Sequence, residues 1–178
     1  MHRRKFLLSA AAVSGTLLLG GGVWLLQPGS RKELTIAHIL KKLRGIPPQD
    51  LQFSGGWNGF QTLTHLAQSV EFSMTGYPIH KSELFKSVVG KSAFKLFSQK
   101  GQMFHNLSEA IPGAVELSPQ GQVEQAMARL IAALEKFNQF QQPLAAHFAY
   151  GELSHDEYAL AHVMHVYDHF SQRISIAE

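Results

Sequence analysis

A chain of 178 residues, 45% of them hydrophobic, is one domain by length and carries enough apolar material for a packed core. Its net charge of +3 comes from Arg3, Arg4 and Lys5; removing those three from the 16 basic residues leaves 13 against 13 acidic ones, so the body lacks the clustered positive charge that nucleic acid demands. Cysteine is absent, which excludes disulfides, a thiol nucleophile from the chain itself and cysteine-linked haem.

Residues 1–29 read as a targeting segment. His2-Arg3-Arg4-Lys5-Phe6-Leu7-Leu8 leads into an uncharged stretch containing Gly15 and Gly20 to Gly22 and running to Leu26. Adjacent arginines before a mild, glycine-bearing apolar region resemble the twin-arginine type of signal. No small-x-small site precedes Gln27-Pro28-Gly29-Ser30, and the roughly 21 residues from Phe6 to Leu26 can span a bilayer, so the segment is expected to be a cleaved signal or a membrane anchor. An exported body follows, periplasmic or anchored to the outer side of the cytoplasmic membrane, with membrane contact only through this segment.

Residues 30–178 read as about five helices in an all-α domain, separated by Gly- and Pro-containing loops. Ser30 can cap the first helix, with Ile36, Ile39, Leu40 and Leu43 as its apolar stripe, ending near Gly45 and Pro47. The second is expected from near Asn58 to Met74, with Leu63, Leu66, Val70 and Met74 inward and His65 within it. The third starts at Ser82 and closes at Gly101, its apolar content being Leu84, Val88, Phe94, Leu96 and Phe97. A long connection from Gln102 to Leu117 holds His105, an accessory polar group or a surface histidine; loops of that length often belong to a site. Ser118-Pro119 signals the fourth helix, carried to about Gln141 by Val123, Met127, Leu130, Ile131, Leu134 and Phe137. After a linker with His147 and Gly151, Ser154 and Glu157 form a capping box for a last helix to about Arg173, with Leu160, Val163, Tyr167, Phe170 and Ile174 as its apolar face. The short loops suit antiparallel neighbours, hence an up-and-down four-helix bundle behind the N-terminal segment.

The last helix carries the chemistry. At about 100° per residue, His162, His165 and His169 share a sector of roughly 60°, and His165 and His169 are an i, i+4 pair whose rings can converge on one ion. This sector turns away from the apolar face, so it borders either a polar cleft or solvent. His65, mid-helix among apolar residues, is the candidate third ligand. Three neutral imidazoles leave a fourth position open on a divalent ion, and zinc, nickel and iron(II) all accept that set.

His65 in an early helix together with His165-x-x-x-His169 resembles the DinB-like superfamily of four-helix-bundle metal proteins, and within it a branch known only as a domain of unknown function. The stretch from His147-Phe-Ala-Tyr-Gly151 through Ser154-His-Asp-Glu157-Tyr158 into the histidine helix carries the likeness most sharply. The resemblance implies His65, His165 and His169 as the metal triad. The chain departs from the branch at Met164, where Lys is usual, at Tyr158, where Trp is usual, and at Asp168, where relatives have a second histidine. Asp168 and His162 are therefore expected beside the ligands or in solvent. Relatives in the superfamily include metal-dependent thiol transferases and a thiol-dependent isomerase, which implies a small-molecule substrate or thiol at the open position. Hydrolysis by a metal-activated water is the other chemistry that position allows. A non-catalytic binding or structural module without an ion is the alternative, and a homodimer is compatible with either.

Overall fold

Helix α1 (Ile36–Gly45) begins where the Thr35 side chain accepts the His38 backbone N–H at 3.2 Å. The expected cap, Ser30, lies outside residues 33–170, which are those this computed structural model describes, as does the whole segment 1–29. After a single 3-10 turn at Pro48–Asp50, helix α2 (Gly59–Thr75) opens on a reciprocal box: the Gln61 backbone N–H donates to Asn58 Oδ1 at 2.9 Å, and the Asn58 N–H donates to Gln61 Oε1 at 3.2 Å. One side of α2 is the expected stripe of Leu63, Leu66 and Val70, all buried. A second buried stripe, Thr62, His65, Ser69 and Ser73, is polar and follows helical spacing, so α2 must face polar partners as well as core.

Ser82 caps the next helix as expected, accepting the Phe85 N–H at 3.2 Å. The helix is composite: α3 (Glu83–Phe85), a π-turn at Lys86–Gly90, and α4 (Lys91–Lys100), ended by Gly101 in the left-handed region at φ 65°. A Cβ on Gly90 would collide with the carbonyl oxygen of Ala149, so glycine lets the π-turn sit against that backbone. Phe94 is buried, but Leu84 and Val88 stand 75% and 57% exposed.

Helix α5 (Val123–Asn138) starts later than the Ser118-Pro119 signal suggests. Ser118 Oγ instead accepts the Gln120 N–H at 3.1 Å, and the Pro119 carbonyl accepts Asn58 Nδ2 at 2.8 Å, so the pair builds a turn that ties this loop to the cap of α2. Helix α6 (His155–His169) opens on the expected box, with Ser154 N–H donating to Glu157 Oε2 at 2.8 Å and Glu157 N–H to Ser154 Oγ at 3.3 Å. It stops at His169 rather than near Arg173. Phe170 is extended and bridges to Phe53, while the Ser54 N–H donates to the His169 carbonyl at 2.9 Å.

The main core joins α1, α2, α5 and α6, with Ile39, Leu63, Leu130, Leu134, Phe137 and Tyr158 fully enclosed. Packing is most extensive between α2 and α5. A smaller cluster of Phe94, Met103, Ala161 and Met164 seats α4 against α6. No strand forms among the described residues, and none of their helices is long and apolar enough to cross a membrane. Helix α6 is thus surrounded: Ala161, His162, Val163, Met164, Val166 and His169 are buried, whereas Leu160 and Tyr167, expected on its core face, are only partly so. The histidine sector borders an internal polar cleft, not solvent.

Candidate metal centre

The polar stripe of α2 meets the histidine sector of α6, with His65 opposite His165 and Ser73 opposite His162. Positions rising along α2 pair with positions falling along α6, so the two helices run antiparallel. His65 Nε2 and His165 Nε2 stand 3.2 Å apart. Two nitrogens bound at about 2.0–2.1 Å to one tetrahedral ion are about 3.4 Å apart, so this pair already has the spacing of two ligands. The ring centroids of His165 and His169 are 4.9 Å apart and those of His65 and His169 5.1 Å, which completes the expected triad.

A fourth ring joins them. His105, from the connection after α4, has its centroid 4.8 Å from that of His165 and 5.0 Å from that of His169. Each of His65, His105, His165 and His169 offers a ring nitrogen, and these four atoms lie within 4.8 Å of one another. Sequence alone gives His105 as an accessory group or a surface residue. The available signals were the length of its loop and the Asp168 carboxylate one residue before His169, and neither fixes a contact between them. In the fold, Asp168 Oδ2 lies 2.7 Å from His105 Nδ1, which holds the ring beside the others and leaves Nε2 without that partner. Asp168 thus holds one of the four clustered rings and is not a solvated carboxylate. His162 is also no surface residue; it is buried, with its Nε2 3.2 Å from Ser73 Oγ, outside the cluster.

The donor set fits a cation. His65 Nδ1 and both ring nitrogens of His169 are buried without a hydrogen-bond partner, an arrangement that costs about 1–3 kcal/mol per group unless something binds it. Burial, and then the neighbouring imidazoles, push His65 down to about 4, His169 to about 3 and His165 well below its ordinary value. All three are therefore neutral near pH 7, the form that ligates. Trp57 closes one side, its ring 4.9 Å from that of His65 and parallel to that of His169 at 6.3 Å.

On another side the cluster opens into a cavity of about 330 Å³, reached by His65, His105 and His165. Met103, Ile111, Phe148 and Phe85 make its wall largely apolar, and Lys81 and Glu109 add charge. His147, whose role the sequence leaves open, is a wall residue held by the fold: its Nδ1 accepts the N–H groups of Ala149 and Tyr150 at 3.1 and 3.2 Å. Tyr150, also lining the cavity, is pushed up to about 12 by burial and then by the Asp168 charge, so it is a neutral phenol.

The described residues form an all-helical fold that gathers four histidines at metal-ligating distance beside a partly open pocket. The chain belongs to the family described as "Protein of unknown function (DUF1569)", which it matches over residues 30–174. No curated protein and no solved structure matches it.

Proposed function

We propose that the chain is an exported protein of the DinB-like, up-and-down four-helix-bundle type that holds one divalent ion on His65, His165 and His169. His105 is then the fourth ring, oriented by Asp168. The single observation that carries this reading is the convergence of four ring nitrogens within 4.8 Å, three of the rings being supplied by packed helices. Zinc suits four imidazoles best, and nickel and iron(II) accept the same set.

His105 differs from the triad in being loop-borne and 28% exposed at its side chain. It can therefore complete a closed site or give up its place to a ligand entering from the cavity. When bound, the ion supplies Lewis acidity to whatever donor takes that place. The chain's part is to keep three imidazoles neutral and convergent, to exclude bulk water with Trp57, and to shape a small apolar chamber beside them. A small molecule with an apolar body and one donor atom, a thiol or a water among the candidates, fits that chamber.

Metal analysis of the full chain purified without a histidine tag tests the reading. About one ion per chain is expected, and His165→Ala with His169→Ala should abolish it. Equal, substoichiometric metal in wild type and double mutant would refute it.

A further inference from the structure

The composite helix α3 to α4 presents a face with no partner among the described residues. Leu84 and Val88 form one i, i+4 pair, and Phe85 and Val89 form another a single position on, so the four side chains make one contiguous surface. They are 75%, 57%, 37% and 51% exposed in that order. Lys91 and Lys95 extend the Leu84–Val88 row along the helix, and both are exposed, as is Lys81 just before it. No acidic residue occurs between Glu83 and Glu109, a stretch with four lysines, whereas the rest of the body from Phe6 onward has 9 basic (13 minus 4) against 13 acidic residues. Glu83 itself is bound to Lys86, which is buried.

We infer that this face docks on an anionic lipid bilayer. Apolar side chains at the leading end of a helix with lysines behind them suit the boundary between acyl chains and acidic headgroups. A second copy fits less well, because a two-fold contact would set the lysines of one face against those of the other. Lys81 and Phe85 also line the cavity, so docking places that wall at the lipid interface. The inference adds a second membrane contact to the N-terminal one and does not depend on the ion.

The absence of cysteine makes a direct test possible. Full chain carrying Val88→Cys is labelled with an environment-sensitive dye and mixed with vesicles of phosphatidylglycerol and phosphatidylcholine; the same label at Val115→Cys, 80% exposed on the long loop, is the control. The Val88 dye should shift to the blue and be quenched by brominated acyl chains, with the Val115 dye unmoved. Adding Lys91→Glu and Lys95→Glu should cut the docked fraction by about tenfold or more, while the N-terminal segment still keeps the chain on the vesicles. An unmoved Val88 dye, an equal response at both labels, or a shift that grows with protein concentration in the absence of vesicles would each overturn the inference, the last in favour of a second copy.

Discussion

Acid should unfold the metal-free chain as the pH falls below about 6.5. Five buried histidines are held neutral in the fold: His65 is pushed down to about 4, His147, His162 and His169 to about 3, and His165 well below its ordinary value, burial being the leading cause each time. The unfolded chain titrates them near 6.5. Above that pH both states are neutral and nothing is lost; below it the unfolded state alone takes up protons, and stability falls until the pH passes the folded values. Each group contributes about 1.4 kcal/mol per pH unit within the window, so five together remove about 7 kcal/mol per unit. A domain with about 5–15 kcal/mol of stability should therefore reach its midpoint between about pH 6 and pH 4.5. Circular dichroism of the metal-stripped full chain gives the midpoint, and imidazole proton shifts show whether the rings stay neutral until it. Saturating zinc should move the midpoint lower, because it binds only the folded, deprotonated site. A fold that persists at pH 4 with rings titrating near 6.5 would refute the burial and mutual packing on which the site rests.

Asp168→Asn keeps the shape but removes the charge that orients His105, and should weaken zinc binding by about 10–100-fold by competition titration while leaving the stoichiometry intact. Unchanged affinity would mean that His105 is not a ligand. Gly90→Ala forces a methyl group against the Ala149 carbonyl and should cost about 1–3 kcal/mol, a fall in Tm of about 2–12 °C; an unmoved Tm would show that the π-turn does not press on that backbone. Arg3→Lys with Arg4→Lys should block export of a reporter fusion, and normal export would sink the twin-arginine reading.

What was legible in the sequence followed local rules. The helix starts near Asn58, at Ser82 and at Ser154, the stripes of α2 and α5, and the i, i+4 spacing of His165 and His169 are each set by a few neighbouring residues, and each appears in the fold. Ser118-Pro119 carried an equally strong local signal and was overruled, because Asn58 captures the Pro119 carbonyl and makes the pair a turn. The buried face of α6 departs from its periodicity for a different reason. A helical wheel assumes one core and one solvent side, whereas α6 is enclosed by the main core, the smaller α4 cluster and the histidine cleft at once. His105 was beyond such rules altogether. Its partners Asp168, His165 and His169 lie some sixty residues away, and only the path of the long loop brings them together.

The same burial that makes the cluster a ligand set makes it a burden on the fold. His65, His165 and His169 occupy positions where leucine or valine would pack without orphaned nitrogens or an acid liability, and His169 is wholly enclosed. Nothing in the architecture of α2 or α6 calls for imidazole there: the stripes on their other sides already bury Leu63, Leu66, Val163 and Val166. Structural histidines in this chain look different. His147 and His162 are just as buried, yet each has a protein hydrogen-bond partner that accounts for it. Unpartnered nitrogens of His65 and His169 lie where the four rings meet, and one cation there would take one nitrogen from each ring.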